Sequence, residues 1–105
     1  MSINVTITHP PDTGTTTAGF SDPPPEYTTT GTVDSGPSRM AYQVDDGPLN
    51  PIDISNLDPT SGGVWTFALT HDDCPDANDT WYSLVVYAYD SNGSYSATVD
   101  FQRSA

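Results

Sequence analysis

The sequence predicts an all-β domain built as a two-layer sandwich, and three observations lead to this. Short runs in which apolar and polar residues alternate recur along the chain, and this is the period of a half-buried strand. Gly, Pro, Asn and Asp separate the runs at intervals of roughly eight to twelve residues. No stretch has the apolar spacing of an amphipathic helix. The 105 residues leave room for one core, so we expect a single domain over residues 1–105.

The best-defined element is a β-hairpin over residues 81–101. Two alternating runs flank Asn92 and Gly93, a pair that favours a type I′ turn because both central residues of that turn need positive φ. A turn centred there pairs residues whose numbers sum to 185, so Leu84 should face Phe101. Apolar residues then meet apolar residues along one face of the hairpin.

Five further strands are expected before the hairpin, which makes seven in all. Alternation should place one face of each strand in the core. The expected inward residues are Ile3, Val5 and Ile7; Tyr27, Thr29, Gly31 and Val33; Met40, Tyr42 and Val44; Ile52 and Ile54; and Trp65, Phe67 and Leu69. Gly31 should mark a place where a neighbouring backbone or a large ring comes close, since glycine inside a strand leaves room for one.

Two segments are expected to be surface loops. Residues 12–26 are rich in Thr, Gly, Asp and Pro, and their triplet Pro23, Pro24 and Pro25 should either stiffen the loop or bind an aromatic groove. Residues 71–79 form an acidic loop that holds Cys74, the single cysteine. No disulfide can form within the chain, and neighbouring carboxylates should keep this thiol unreactive.

The chain is strongly acidic. Fourteen Asp and Glu residues oppose two Arg residues, Lys is absent, and the net charge is -12 at pH 7. Such a surface repels phosphate groups, so we expect neither nucleic acid nor anionic membranes as partners. No apolar run is long enough to span a membrane, so we expect no membrane insertion. The acidity suits solubility, a salty habitat or a basic partner, and composition alone does not choose among these.

Oxygen ligands cluster in and beside the acidic loop. They are Asp72, Asp73, Asp76, Asn78 and Asp79. Calcium takes about six to eight oxygen ligands, but the spacing here matches no complete calcium-binding loop. Asp and Asn are also common turn formers. We therefore expect no metal site and no cofactor, with Ca²⁺ at these five residues as the alternative.

The outward face of the first hairpin strand carries large apolar residues where Thr and Ser would be usual. They are Trp81, Val85, Tyr87 and Tyr89. Exposed contiguous aromatic residues usually mark a contact surface. We expect Trp81, Tyr87 and Tyr89 to contact a partner, together with the proline triplet. The alternative is that the proline-rich loop or a neighbouring strand folds over them.

A resemblance to a known family rests on four segments. They are Gly31-Thr32-Val33, residues 42–47, Trp65-Thr66-Phe67, and residues 82–93 with the pattern Tyr-x-Leu-x-Val-x-Ala-x-Asp-x-x-Gly. These segments are similar to the bacterial immunoglobulin-like domains (Big type) that are common in large surface proteins and phage structural proteins. The resemblance implies a seven-stranded immunoglobulin-like Greek-key β-sandwich in which Tyr82 begins the sixth strand. The Lys–Asn isopeptide bond of some surface relatives cannot form in a chain without Lys.

The resemblance also implies a non-catalytic role, because members of this family are mostly spacers, adhesion modules or display modules. We expect a protein partner in a larger assembly on an extracellular surface, as a decoration protein of a virion capsid or tail or as a spacer domain of a cell-surface adhesin. We expect no enzyme, since His9 and His71 are far apart in the sequence and Cys74 has no basic neighbour. The alternative function is a carbohydrate-binding module whose aromatic rings stack on sugars.

Overall fold

The computed structural model describes residues 3–9, 14–16, 26–70, 73 and 78–104. These residues form eight strands and no helix. The strands are β1 (Val5–His9), β2 (Gly14–Thr16), β3 (Glu26–Val33), β4 (Arg39–Val44), β5 (Asn50–Ile52), β6 (Gly63–Thr70), β7 (Asn78–Asp90) and β8 (Gly93–Ser104). The expectation of an all-β chain is confirmed.

The described strands number eight where seven were expected, and the additional strand is β2. It lies in the segment 12–26 that was expected to be entirely loop. Its three residues pair with β8 in parallel, Gly14 with Phe101 and Thr16 with Arg103. A short run of Gly and Thr has no alternating apolar face, so the sequence carried no strand signal there.

The strands form two sheets. The first has the order β1-β3-β6 and the second has the order β2-β8-β7-β4-β5. Every pairing within them is antiparallel except that of β2 with β8. Along the described strands the chain therefore crosses from one sheet to the other five times. Each sheet turns one apolar face towards a shared core.

The core combines residues from both sheets. Leu69 of β6, Leu84 of β7 and Phe101 of β8 are fully buried. Tyr42 of β4 stacks on Phe67 of β6, with ring centroids 4.1 Å apart and an interplanar angle of 13°. This stack links the two sheets directly, because β4 and β6 belong to different sheets.

Most of the expected inward residues belong to this core. Those that are buried are Ile3, Thr29, Gly31, Val33, Met40, Tyr42, Ile52, Trp65 and Leu69. Ile54 departs from the expectation, because β5 ends at Ile52 and Ile54 follows it as a half-buried residue outside the strand. The side chain of Tyr27 lies outside the described residues.

Gly31 is the site of close approach that the sequence predicts. It pairs with Ile7 of β1 on one side and with Trp65 of β6 on the other. A Cβ atom at Gly31 would overlap both the carbonyl oxygen of Thr6 and the Trp65 ring. A side chain at this position would have no room, so glycine is required, and it lets the indole lie against the middle strand of the first sheet.

The β7–β8 hairpin has the predicted faces but not the predicted register. Asp90 pairs with Gly93, and Leu84 pairs with Val99 instead of Phe101. The predicted register was therefore wrong by two positions. Because side chains alternate with a period of two, a shift of two leaves every residue on the same face. Leu84, Val99 and Phe101 are accordingly all buried.

The turn explains the shift. Its central residues are Ser91 and Asn92, and the Asp90 carboxylate accepts a hydrogen bond from the Asn92 backbone N–H at 2.8 Å. Such a side-chain turn competes with the type I′ turn that was expected one residue later. Only Gly93 has positive φ in this turn, at 144°, so Asn92 does not adopt the conformation on which the prediction rested.

A second tight turn precedes β6. Asp58 and Gly62 exchange two backbone hydrogen bonds, at 2.8 and 2.9 Å. The Asp58 carboxylate accepts hydrogen bonds from the backbone N–H groups of Ser61 at 2.9 Å and Thr60 at 2.7 Å. These hydrogen bonds favour the charged carboxylate and lower the pKa of Asp58 below its ordinary value of 3.8.

Replacing Trp65 by Ala should destabilise the domain by about 3–5 kcal/mol, because it removes a ring that is 1% exposed and leaves a cavity. Urea unfolding measures the change. The matched control is Trp81→Ala, which truncates a ring that is 52% exposed and should cost much less. Equal losses for the two variants would contradict the burial of Trp65.

Replacing Thr29 by Val should raise the free energy of unfolding by about 1 kcal/mol. Thr29 is 0% exposed, and its hydroxyl has no hydrogen-bond partner among the described residues. Valine has nearly the same shape and removes that buried polar group. Thr28→Val on the exposed face of the same strand is the control, and it should leave stability nearly unchanged. A destabilised Thr29→Val would mean that the hydroxyl is bonded in solution.

The Asp58 carboxyl should titrate below 3.8 in an NMR pH titration. Because the folded pKa is lowered, the carboxylate stabilises the fold above pH 3.8, and this contribution is lost as the pH falls through the lowered pKa. Asp58→Asn should therefore be less stable than the wild type near neutral pH, and the difference should shrink as the pH falls below 3.8. A midpoint at or above the ordinary value would refute the role of these hydrogen bonds.

Candidate interaction surface

The outward face of β7 carries the aromatic stripe, which comprises Trp81, Val85, Tyr87 and Tyr89. β7 lies between β8 and β4, so the stripe runs along the interior of the five-stranded sheet and not along an edge. Trp81 is 52% exposed. The other three side chains are half-buried. The stripe therefore combines one prominent ring with a row of partly covered ones.

β4 supports one side of the stripe. Its residues Arg39 and Ala41 pair with Tyr89 and Tyr87 respectively. The Arg39 guanidinium lies over the Tyr89 ring, 4.0 Å from the centroid, in cation–π geometry. Ala41 is buried at 5% exposure although its strand position faces outward, because the larger outward side chains beside it cover a small methyl group.

The two tyrosines are held in place. The Tyr87 hydroxyl donates a hydrogen bond to Gln43 Oε1 at 3.0 Å, and Gln43 Nε2 donates to the carbonyl of Gly47 at 2.8 Å. The Tyr87 and Tyr89 rings are 6.2 Å apart with an interplanar angle of 24°. Rings that are already fixed lose little conformational entropy when a partner binds.

Acidic side chains lie beside the Trp81 end of the stripe. The turn after β4 has positive φ at Asp45 (50°) and Asp46 (61°), the signature of a type I′ turn. Asp45 Oδ1 accepts a hydrogen bond from the Ser83 backbone N–H at 2.8 Å. Asp100 Oδ1 accepts one from the Ser83 hydroxyl at 2.6 Å. Two carboxylates therefore converge on Ser83, next to Trp81.

The cationic side chains have contrasting positions. Arg103 is buried at 5% exposure, whereas Arg39 is exposed. The sequence contains two Lys and Arg residues in all, so Arg39 is the single Arg or Lys side chain at the surface. The protein places this charge on the stripe, at the end opposite the carboxylates of Asp45 and Asp100.

Of the five candidate calcium ligands, Asp73 alone has its side chain within the described part of the chain. Asp72 and Asp76 lie outside it. Asn78 and Asp79 belong to β7, which corrects the expectation that the loop extends to residue 79. Asp73 accepts a hydrogen bond from the Tyr42 hydroxyl at 3.0 Å. In the described ranges no three His, Cys, Asp or Glu residues are grouped so that they could hold a metal ion.

Asp73 also lines a cleft at one end of the sandwich. The cleft has a volume of about 380 Å³ and is bordered by Val44, Gly47, Pro48 and Asn50 as well. Among the described residues its wall includes one carboxylate, that of Asp73, and no cationic side chain. The proline triplet Pro23, Pro24 and Pro25 lies outside the described residues, so its role as a contact or a cover stays a prediction.

Two residues of the surface had no predicted role, namely Arg39 and Gln43. Alternation in β4 did place both on the outward face. Their contacts with Tyr89 and Tyr87 depend on β4 pairing with β7, and these strands are separated by β5 and β6 in the chain. A single sequence carries no signal for such a pairing.

Comparisons with known proteins bear on the fold. No family model matches the chain, and no curated protein matches it. Among solved structures the chain is similar to the crystal structure of an engineered protein, a structural genomics target, with a TM-score of 0.63 and 15% identity over 99% of this chain. The chain spans 20% of the length of that protein. At this identity the likeness concerns the fold alone.

The described residues include no helix with the length and hydropathy that crossing a membrane requires.

Proposed function

We propose that this chain is an immunoglobulin-like domain with Greek-key connections, related to the bacterial immunoglobulin-like domains. The strand orders β1-β3-β6 and β2-β8-β7-β4-β5 support this, since they match a sandwich with a small sheet and a larger sheet that gains an edge strand after β4. Tyr82 supports it too. It stands near the start of β7, is buried, and lies 5.9 Å from the Phe101 ring.

The domain acts without catalysis, by binding another protein through the aromatic stripe. The observation that carries this proposal is the row of aromatic rings on the outer face of the larger sheet, in which Tyr87 and Tyr89 are held in place and Trp81 is more than half exposed. Aromatic and Arg side chains supply most of the energy in protein interfaces, and Arg39 adds the cation. Charge on the partner would be distributed the opposite way, with basic groups near Asp45 and Asp100.

The geometry favours a protein partner over a sugar. A sugar-binding platform needs aromatic faces that are open to solvent. The Tyr89 face is covered by Arg39, and the Tyr87 hydroxyl is already bonded to Gln43. Trp81 alone in the stripe is more than half exposed. Carbohydrate binding stays the alternative, with Trp81 as its central residue.

The module belongs to an outer surface in this proposal, as a virion decoration protein of the capsid or tail or as a spacer domain of a cell-surface adhesin. The resemblance of residues 82–93 to bacterial immunoglobulin-like domains supports this setting. The net charge of -12 suits a displayed module, because it keeps exposed domains soluble and apart.

The double variant Trp81→Ser with Tyr89→Ser should fold normally and lose binding to its native assembly by about thirtyfold or more, as expected for two central anchors. Reassociation of the purified chain with the assembly stripped of it measures the loss. Leu49→Ser is the control, because Leu49 is an exposed apolar residue (50%) outside the stripe, and this variant should reassociate normally.

Unchanged reassociation of the double variant would contradict the proposal. A glycan array and polysaccharide columns distinguish protein binding from the alternative, carbohydrate binding. If the wild type is retained on a polysaccharide and Trp81→Ser is not, while reassociation is intact, the stripe binds sugar instead of protein.

A further inference from the structure

β6 is an edge strand of the three-stranded sheet, with β3 on one side. In the described part of the chain no strand pairs with its other side. It runs for eight residues, Gly63–Thr70, in unbroken register with β3. This is a long edge for a small domain, and its unpaired backbone groups form a template for another strand.

The hydrogen bonds identify which residues face the open side. The Trp65 carbonyl accepts a hydrogen bond from Thr30 Oγ1 at 2.9 Å, and Thr30 belongs to β3. The Trp65 backbone groups therefore face β3. In an antiparallel sheet successive residues alternate in this respect, so the N–H and C=O groups of Val64, Thr66 and Ala68 face away from β3. Gly62 is also an even number of residues from Val64, and its backbone groups do face away from β3, because they are bonded to Asp58.

The other edges carry features that discourage pairing, and β6 carries none of them. β5 is three residues long and contains Pro51. β1 has an irregularity in its register between Ile7 and His9. β2 is also only three residues long. β6 contains no proline and no charged residue, although the chain has fourteen Asp and Glu residues.

We propose that β6 pairs with β6 of a second copy of this chain, antiparallel about a twofold axis at Thr66. This register places Thr66 opposite Thr66 of the second copy, and Val64 opposite Ala68 of the second copy. The ladder ends before Gly62, because the outward backbone groups of Gly62 are already bonded to Asp58. Thr–Thr and apolar pairs stabilise such ladders, and no like charges meet across this one. The pairing also covers Val64, which is 63% exposed in the single chain. The β6 pairing involves the three-stranded sheet, whereas the aromatic stripe lies on the five-stranded sheet, so the pairing is independent of the proposed function.

The net charge of the chain predicts how association of the two copies depends on salt. Each copy carries a net charge of -12, so the two bodies repel each other although the paired strands are uncharged. Salt screens that repulsion over a Debye length of about 8 Å at physiological ionic strength. Added salt should therefore strengthen the dimer, whereas it would weaken a contact made through ion pairs.

Sedimentation equilibrium over roughly a hundredfold range of concentration, at low and high NaCl, tests the association. Hydrogen exchange by NMR on the same samples locates it. The amides of Val64, Thr66 and Ala68 should become protected as the dimer forms. A chain that stays monomeric in all conditions overturns the proposal. So does a dimer in which these amides exchange as in the monomer.

A matched pair of variants tests the register. Thr66→Asp places two carboxylates opposite each other at the twofold axis, and it should lower the association constant about tenfold or more. Thr6→Asp makes the same change at an exposed threonine on β1, the other edge of the sheet, and should leave association unchanged. Thr66→Val should keep the dimer. Equal effects of Thr66→Asp and Thr6→Asp overturn the proposed pairing.

Discussion

The contact between the Trp65 ring and Gly31 is the constraint on which the rest of the structure depends. Only a residue without a Cβ lets the indole lie against the middle strand of the small sheet. The aromatic contacts then continue across the core, since Phe67 lies 5.8 Å from Trp65 and 4.1 Å from Tyr42. Tyr42 belongs to β4 of the other sheet, so one continuous row of rings sets the separation and alignment of both layers.

β4 connects the packing of the core with the position of the rings on the outer surface. Its inward residue Tyr42 is fixed by the stack on Phe67. Its outward residues Arg39 and Gln43 hold Tyr89 and Tyr87. Inward and outward residues alternate on one backbone, so the position of the surface rings follows from the packing inside.

The sequence was sufficient for the faces of most strands and insufficient for the pairing between them. Alternation assigned Leu84 and Phe101 correctly to the core, because the parity of a side chain survives any shift of two residues. The register failed, because Asp90 builds a side-chain turn that competes with the turn expected at Asn92 and Gly93. The aromatic stripe could be identified by the same alternation. Its support by Arg39 could not, since that contact joins strands distant in the chain.

The central claim is that the aromatic stripe is buried against a protein in the native assembly. Hydroxyl-radical footprinting of the isolated chain and of the native assembly tests it most directly, with oxidation of Trp81 as the readout, because this ring is 52% exposed in the single chain. The account predicts that oxidation of Trp81, and to a lesser degree of Tyr89, falls severalfold in the assembly, while exposed Leu49 is oxidised equally in both. Equal oxidation of Trp81 in the isolated chain and in the assembly would contradict it.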